Sequence, residues 1–318
     1  MATTVNYYLN GPDLASATAI FTDSELTICA PDGFYSDGVI SRELVGCVLQ
    51  PEVACPSCEE PCCDNIINIT AAEGVFLNTF DLDTVSVGAT GAIIVYFNPA
   101  QVPDGIRATY NGAVYNEVTN ALDGYKASTT AGNPTYLGDS AFDTTPTCNL
   151  VAGSPHLGVV EYKVVNGVPI ATGNTLTVNI AAGDVALKAV PLPDWYVMVI
   201  PKTTAAPSTV DIEITGVCPT TGWYLEVGCP VKLVGAQYSR VDDCSDPSFI
   251  ATLYNVPCVK IDPCNPTLLG VPSLYDWVFT DENGQVKLAD NSYILEATPD
   301  NQQIEVLDGV IVSMTPCP

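Results

Sequence analysis

The sequence is poor in basic residues. Among its 318 residues, 10 are Lys or Arg and 36 are Asp or Glu, which gives a formal net charge of −26. The acidic residues are spread along the whole chain, and such a surface repels phosphate backbones and anionic lipids. We therefore expect no nucleic-acid partner. The charge itself is typical of a soluble protein that resists self-association, and an exposed acidic particle surface is the functional alternative.

Long apolar runs, long amphipathic helices and a secretory signal are also missing. A span of the bilayer needs about 18 or more apolar residues, and no such run occurs, so no membrane insertion is expected. Met1 leads directly into a predicted strand, without the basic and apolar regions of a signal peptide. Residues 116–122 and 249–254 are predicted to form at most one or two helical turns. The lack of long amphipathic helices favours an all-β protein.

Histidine is almost absent, which limits the possible chemistry. His156 is the only one, and it follows a Ser-Pro pair that is typical of a loop. Ser-His-Asp or Cys-His catalysis would have to use it, yet no G-x-S-x-G elbow accompanies it. Carboxylates are so abundant that no pair stands out as a glycosidase site. We therefore predict no catalytic residue, no cofactor and no enzymatic activity.

Three groups of acidic residues could bind Ca²⁺, which prefers carboxylate and carbonyl oxygens. None of them matches an EF-hand loop or a calcium-binding nonapeptide repeat, so solvated turns are the simpler interpretation and no metal ligand is predicted. The groups are Asp81 with Asp83, then Asp242, Asp243 and Asp246, and finally Asp281 with Glu282.

Strand and turn signals are what the chain has in abundance. Residues 91–97 form an apolar run that predicts a buried strand, while Asn111-Gly112 and Asn166-Gly167 lie inside predicted hairpins and suit type I′ turns. Further strands are predicted at residues 176–180, 196–200 and 210–214. Short strands separated by frequent turn signals indicate a β-sandwich or jelly roll.

The chain divides into three predicted parts. Residues 1–63 form a small Cys-rich β-module, residues 64–228 form a central β-sandwich, and residues 229–318 form a second small Cys-rich β-module. Each end module is too small to bury much apolar surface alone. Cross-links, a partner domain or oligomerisation would have to stabilise them.

Two stretches near the ends of the chain resemble each other. Both contain Phe-Thr-Asp, at residues 21–23 and 279–281, followed by an Ala, an acid-bearing turn and a Tyr. Each is then followed by an apolar stretch around a Gly, at residues 44–49 and 307–312. The pattern predicts one small β-module used twice around a different middle. Such a chain is more typical of a structural or binding protein than of an enzyme.

Cysteine is unusually frequent. The chain has 13, far more than an ordinary cytosolic β-protein, and the odd total leaves at least one thiol that is unpaired or paired between chains. Most lie in the two end modules, where cross-links are most needed. We predict disulfides at Cys29, Cys47, Cys55, Cys58, Cys62, Cys63, Cys229, Cys244, Cys258, Cys264 and Cys317.

The densest cysteine cluster lies at residues 55–63 and consists of Cys55, Cys58, Cys62 and Cys63. Its C-x-x-C spacing with two further thiols could hold a tetrahedral Zn²⁺. Adjacent cysteines point apart in an extended chain, however, and rarely ligate one ion. We prefer disulfides to other strands, with Cys29 and Cys47 as candidate partners. A zinc site and free thiols are the alternatives.

Tryptophan offers the one candidate ligand surface. With 15 tyrosines in the chain, Trp195, Trp223 and Trp277 could form a sugar-stacking face, as in lectin-like sandwiches. Aromatic residues beside apolar strands more often belong to a core. Host-surface glycan is therefore a second-choice partner.

Several segments also resemble known proteins. The first group opens with Asn-Tyr-Tyr-Leu-Asn-Gly-Pro and covers residues 6–12, 16–23 and 30–38; the second covers residues 91–99, 102–107 and 110–116. These segments are similar to parts of structural proteins of tailed bacteriophages, especially phages of marine and gut Bacteroidetes-type hosts. The resemblance implies a virion component, and no catalytic or binding residue carries over with it.

Together these observations predict a non-enzymatic structural component of a tailed-phage virion. It would be a head, neck or tail appendage, or a fibre or decoration protein, assembled in the host cytoplasm and exposed after lysis. Its partners would be other virion proteins and further copies of itself, because virions are symmetric. The alternative is a carbohydrate-binding adhesin or receptor-binding protein.

Overall fold

The computed structural model shows an all-β protein. It describes residues 7–31, 33–36, 40–51, 53–54, 65–70, 73–83, 88–100, 103–122, 124, 126–128, 130, 132–139, 155–180, 185–188, 195–218, 221–239, 244, 251–260, 272–296 and 301–317. Across these residues there are 26 strands and no helix. The chain forms two compact units, Met1–Cys62 and Cys63–Pro318. The three-part division and its second boundary at residue 228 stay a prediction.

The first unit is a small β-module with its own core. Its strands are β1 (Tyr8–Leu9), β2 (Ile20–Phe21), β3 (Gly33–Ser36), β4 (Ile40–Val45), β5 (Val48–Leu49) and β6 (Val53–Ala54). Strands β1 and β2 pair with each other, and β4 pairs with β3, β5 and β6. The apolar core is formed by Leu14, Ala17, Ile20, Ala30, Leu44 and Leu49.

Arg42 supplies a polar centre for this small unit. Its guanidinium donates hydrogen bonds to five backbone carbonyls, those of Leu14, Ala15, Ala17, Leu49 and Gln50, at 2.7 to 3.1 Å. Arginine has five N–H donors in a fixed planar fork, so one side chain can satisfy several loop carbonyls at once. The loop before β2 is thereby tied to the end of the β4–β5 hairpin.

The second unit contains the other strands. They are β7 (Asn65–Thr70), β8 (Gly74–Asp81), β9 (Gly91–Asn98), β10 (Asp104–Tyr110), β11 (Ala113–Tyr115), β12 (Glu117–Val118), β13 (Lys126–Ala127), β14 (Thr135–Asp139), β15 (His156–Val165), β16 (Val168–Val178), β17 (Val185–Lys188), β18 (Tyr196–Lys202), β19 (Thr209–Gly216), β20 (Gly222–Val227), β21 (Gly235–Ser239), β22 (Ala251–Val256), β23 (Trp277–Phe279), β24 (Asn291–Leu295), β25 (Gln302–Leu307) and β26 (Val310–Pro316).

Two sheets of this unit form a β-sandwich. The eight-stranded sheet has the order β16-β15-β8-β19-β10-β14-β17, with β11 on β10, and the four-stranded sheet has the order β18-β9-β20-β7. Their inner faces share one apolar core, to which Phe76, Ile106 and Ile212 come from the larger sheet and Val95 and Trp223 from the smaller. The predicted central sandwich is therefore confirmed.

Strand β9 is buried along its whole length. Because successive side chains point to opposite faces, Ile93 and Val95 enter the sandwich core while Ala92 and Ile94 face the other side of the four-stranded sheet. A strand covered on both faces needs apolar residues at every position, which explains the continuous run predicted as a buried strand.

A closed six-stranded barrel follows, with the order β21-β22-β23-β26-β25-β24. Its interior is filled by Leu253, Val278, Leu288, Tyr293, Leu295, Ile304, Val306 and Ile311. A disulfide joins Cys244 to Cys317, the last described residue. The barrel lies in the same compact unit as the sandwich and covers the outer face of the four-stranded sheet.

The predicted hairpin turns are confirmed, and the short helical turns are wrong. Asn111 and Gly112 connect β10 to β11 with φ values of 49° and 78°, and Asn166 and Gly167 connect β15 to β16 with 50° and 75°. Residues 116–122 contain strand β12, and the described part of residues 249–254 belongs to β22. Pairing with neighbouring strands overrides their weak local helical pattern.

Candidate functional site

The Phe-Thr-Asp stretch of the first unit forms a tight, carboxylate-capped turn. The N–H groups of Thr27 and Ile28 donate to the Asp23 carboxylate at 3.0 and 2.6 Å. Thr22 N–H donates to the Ile28 carbonyl at 2.9 Å, which closes the turn. The hydrogen bond from the Thr27 hydroxyl is the main reason that the pKa of Asp23 is lowered.

The same turn recurs in the barrel. The N–H groups of Gln285 and Val286 donate to the Asp281 carboxylate at 3.0 and 2.7 Å. Thr280 N–H donates to the Val286 carbonyl at 2.8 Å. In both turns a backbone bridge joins the Phe of Phe-Thr-Asp to the residue eight positions later, which gives the pairs Phe21–Cys29 and Phe279–Lys287.

The likeness extends over the rest of the module. Tyr35 donates its hydroxyl proton to the Pro31 carbonyl, and Tyr293 donates to the Ala289 carbonyl, both at 2.7 Å. The strand registers also correspond: Tyr8↔Phe21 with Tyr254↔Phe279, Tyr35↔Arg42 with Tyr293↔Ile304, Leu44↔Leu49 with Val306↔Ile311, and Ser41↔Val53 with Gln303↔Thr315. The predicted repeat is therefore one β-module built twice.

The barrel copy of the module packs against the sandwich through one apolar face, here called the docking face. Its residues are Tyr254, Trp277, Phe279 and Val310. They contact the outer face of the four-stranded sheet, where Ala92, Ile94 and Val197 are buried with them. Val310 is fully buried and Phe279 is 3% exposed. Burying such side chains contributes about 1.5–3 kcal/mol each.

Polar contacts surround the docking face. The indole N–H of Trp277 donates to the Val197 carbonyl at 3.1 Å, so the buried ring has no unsatisfied donor. At one side Lys287 forms an ion pair with Glu117 of β12, and it also lies over the Trp277 ring at 5.1 Å. At another side Lys260 pairs with Glu226, whose side chain is 3% exposed. These pairs fix the orientation of the barrel on the sheet.

Close backbone approach also marks this interface. The amide of Ala92 donates to the Val231 carbonyl at 2.8 Å and its carbonyl accepts from Val231 at 3.0 Å. A Cβ on Gly91 would lie 2.3 Å from the Val231 carbonyl oxygen, so only glycine fits there. A Cβ on Gly284, in the Asp281 turn, would lie 3.0 Å from a methyl group of Val199.

A cleft of about 260 Å³ opens beside the docking face. Tyr115, Glu117 and Lys287 lie along it, and the nearly buried Trp277 and Phe279 form its floor. The Lys287–Glu117 ion pair crosses it. The cleft therefore lies at the boundary between barrel and sandwich, and its aromatic rings expose too little surface to stack on a ligand.

A buried carboxylic acid lies behind the docking face. Asp276, 1% exposed, accepts hydrogen bonds at 2.9 Å from the Asn255 amide and from the N–H groups of Cys258 and Ser273. Burial raises the pKa of Asp276 to about 6, against the lowering effect of these bonds. In the sandwich, burial likewise raises the pKa of Asp104, to which the Thr221 hydroxyl donates.

The cysteines follow the prediction in part. Disulfides join Cys29 to Cys47 and Cys244 to Cys317, so the first two pair with each other rather than with the cluster after them. Cys229 and Cys218 are also disulfide-bonded. The prediction for Cys258 is wrong: it is a buried thiol that donates to the Leu274 carbonyl at 3.3 Å. Outside the described residues lie Cys55, Cys58, Cys62, Cys63 and Cys264.

The tryptophans do not form a common sugar-stacking face. Trp223 is fully buried in the sandwich core at 5.5 Å from Phe76, and Trp277 is buried in the docking face. Both are core residues because their strands are covered. Trp195 is half-buried; its ring lies 6.4 Å from that of Tyr224, tilted by 60°, and Lys260 lies over it at 4.5 Å.

The remaining candidate groups lie apart. His156 begins strand β15 of the larger sheet, where it pairs with Val178 of the edge strand β16. Asp281 caps backbone N–H groups, and Asp81 and Asp83 each accept a backbone N–H of their own loop, as solvated turns do. Asp242, Asp243 and Asp246 fall outside the described residues. Within the described part of the chain, no three His, Cys, Asp or Glu side chains converge as a metal site.

No protein-family model, curated protein or solved structure matches this chain. No helix within the described ranges has the length and apolar character needed to cross a membrane.

Proposed function

We propose that this chain is a non-enzymatic structural component of a tailed-phage virion, where it serves as a head, neck or tail appendage, or as a fibre or decoration protein. The observation that carries the proposal is the duplicated module. The same module occurs twice, and its barrel copy packs against a β-sheet through an apolar face that two ion pairs flank.

Further features support an assembly role. Strand β16 is largely exposed and is an edge strand of its sheet, while β15 beside it is exposed in part. Exposed edges and apolar faces on a stable framework are what a subunit uses to bind its neighbours. The net charge of −26 would keep such a chain soluble before assembly. The resemblance of residues 6–12, 16–23, 30–38, 91–99, 102–107 and 110–116 to segments of phage structural proteins supports the same class.

Mass spectrometry of purified phage particles tests this proposal. The chain is expected among the virion proteins at a copy number that fits the particle's symmetry, and immunogold labelling would locate it. A gene position among portal, capsid and tail genes would agree. Absence from purified particles, or turnover of a substrate by the isolated protein, would contradict the proposal.

A carbohydrate-binding adhesin is the second candidate. The observation that favours it is Tyr224, which is 37% exposed and lies 6.4 Å from the ring of the half-buried Trp195, over which Lys260 lies. Aromatic rings next to charged groups can bind sugars, although the 60° tilt departs from a flat stacking surface. Binding on a glycan array that is lost with Trp195→Ala would support this candidate.

A further inference from the structure

The first unit keeps three of the four residue types of the docking face, and at the position of Trp277 it has the buried Ala19. Its strand register places Tyr8, Phe21 and Val48 at the positions that Tyr254, Phe279 and Val310 occupy in the barrel. We call these three residues, together with Leu26, the first-unit face. Tyr, Phe and Val are thus each matched by the same residue type.

The exposure of the two faces differs sharply. Val310 is fully buried, whereas Val48 is 56% exposed, and Tyr8 is 39% exposed. The next residues along the same strands, Leu9 and Leu49, point to the opposite side and pack in the core of the first unit, so the exposed side chains are not needed to build it. A face with the composition of a buried one, left exposed, indicates an interaction surface.

Besides Ala19 in place of Trp277, two differences indicate that the first-unit face would bind another partner than the barrel does. Leu26, with φ of 58° and 38% exposure, occupies the turn position of Gly284, where a side chain would collide with Val199. The Cys29–Cys47 disulfide replaces the contact of Lys287 with Gly309. The partner of the first-unit face is therefore a β-sheet face that has room for Leu26. It needs no carboxylate of the kind that Glu117 offers to Lys287, because the first unit has Cys29 at that position.

The sandwich itself carries an exposed aliphatic sheet face of this kind. It lies on the outer side of β8, β15 and β16 and consists of Leu77, Val165, Val168 and Ile170, which are 36 to 59% exposed. Cross-strand pairing of Lys163 with Leu77 and with Ile170, and of Val165 with Val168, places them on one side. We call this the hairpin face.

Charge favours contact between these two faces. Lys163 is exposed in the middle of the hairpin face, and Glu25 lies beside Leu26 in the sequence of the first-unit face. Two carboxylates on the same side of the sheet already have partners there: Glu161 accepts from Thr172 and Asn174, and Glu213 pairs with Arg107. In the barrel, too, an apolar contact is flanked by Lys–Glu pairs. Complementary charge would set the register of contact between chains that otherwise repel each other.

We infer that the first-unit face of one chain binds the hairpin face of a second copy of this chain, so that copies associate head to tail. Because the two surfaces differ, the contact is heterologous: it joins two chains in a closed dimer if they exchange it reciprocally, and otherwise it generates rings or filaments. The inference rests on the proposed structural function and names its partner.

Complementation between two variants tests this inference. Val48→Asp places a carboxylate in the first-unit face, Ile170→Asp places one in the hairpin face, and Val286→Asp, at a valine that is 53% exposed in the barrel turn, is the matched control. Sedimentation velocity over a range of protein and salt concentrations measures association, and circular dichroism verifies that each variant is folded.

The wild type and Val286→Asp are expected to self-associate, more strongly as salt screens the repulsion between the acidic surfaces. Each interface variant alone should associate about 100-fold more weakly or worse, since an unpaired carboxylate would be buried at the contact. An equimolar mixture of the two should stop at dimers, because only one intact contact can form.

Three outcomes would overturn the inference. They are a wild type that stays monomeric at every salt concentration, an Ile170→Asp variant that associates like the wild type, and a mixture that forms no dimer. Particle composition is measured separately. If the chain is a virion protein and these variants incorporate normally, the inference fails while the proposed function stands.

Discussion

Asp276 should make the second unit less stable as pH rises towards neutrality. Its pKa is about 6 in the folded protein, against 3.8 for the ordinary carboxyl, because the group is buried. The folded state therefore binds the proton more tightly than the unfolded state does. The resulting stabilisation is fully present below the unfolded pKa and is lost as pH rises through the folded one. The full effect is about 3 kcal/mol, from 1.36 kcal/mol per pKa unit.

The comparison of wild type with Asp276→Asn isolates this effect. Between pH 4.5 and 7.5 the wild type should lose about 2 kcal/mol of unfolding free energy relative to the variant, which cannot titrate at this position. Asp104, whose pKa burial also raises, is present in both proteins and cancels. Loss of the three hydrogen bonds to the Asp276 carboxylate lowers the unfolding free energy of the variant by a constant amount. The test therefore compares how the unfolding free energy changes with pH, and not its absolute value.

Denaturant unfolding followed by tryptophan fluorescence is the suitable assay. All three tryptophans lie at residues 195 to 277, so their signal reports the second unit and not the first. Parallel pH profiles for wild type and variant, within about 0.5 kcal/mol of each other, would refute the argument. That result would mean that the hydrogen bonds to the carboxylate offset the cost of burying its charge.

Three further predictions concern the duplicated module. Val310→Asp should lower the unfolding free energy of the second unit by more than about 3 kcal/mol, because it buries an unpaired carboxylate. Val48→Asp should change the unfolding free energy of the first unit by less than about 0.5 kcal/mol, because Val48 is exposed. Effects of similar size in denaturant titrations would contradict the assignment of the two faces. Replacing Cys29 and Cys47 by Ser should destabilise the first unit by about 3 kcal/mol, from the entropy of a loop of this length, with the tryptophan transition unchanged. Lys287→Met should cost less than about 1 kcal/mol, since its ion pair is half-exposed, and a larger loss that is insensitive to salt would count against that estimate.

Local chemistry explains what the sequence could predict. Asn111-Gly112 and Asn166-Gly167 determine their turns because both positions need positive φ. The Phe-Thr-Asp repeat was recognisable because Asp23 bonds to N–H groups only four and five residues later. Such interactions leave a short, readable pattern in the chain.

The docking face could not be predicted in the same way. Trp277 contacts Val197, far away in the sequence, and nothing in the local pattern distinguishes its buried position from an exposed one. The short apolar stretch of β22 resembled a helical turn because only its pairing with β21 and β23 makes it a strand. The sequence does not distinguish Cys258 from the cysteines that form disulfides, because the Leu274 carbonyl to which its thiol donates is brought close only by the fold.

The Cys29–Cys47 bond has a consequence for how the two halves of the chain could evolve. The first unit has a disulfide of its own at the position where the barrel has Lys287, whose ion pair with Glu117 joins the barrel to the sandwich. The N-terminal piece could therefore be grafted onto an unrelated host protein with its architecture intact. The barrel, separated from its sheet, would leave Trp277, Phe279 and Val310 facing water.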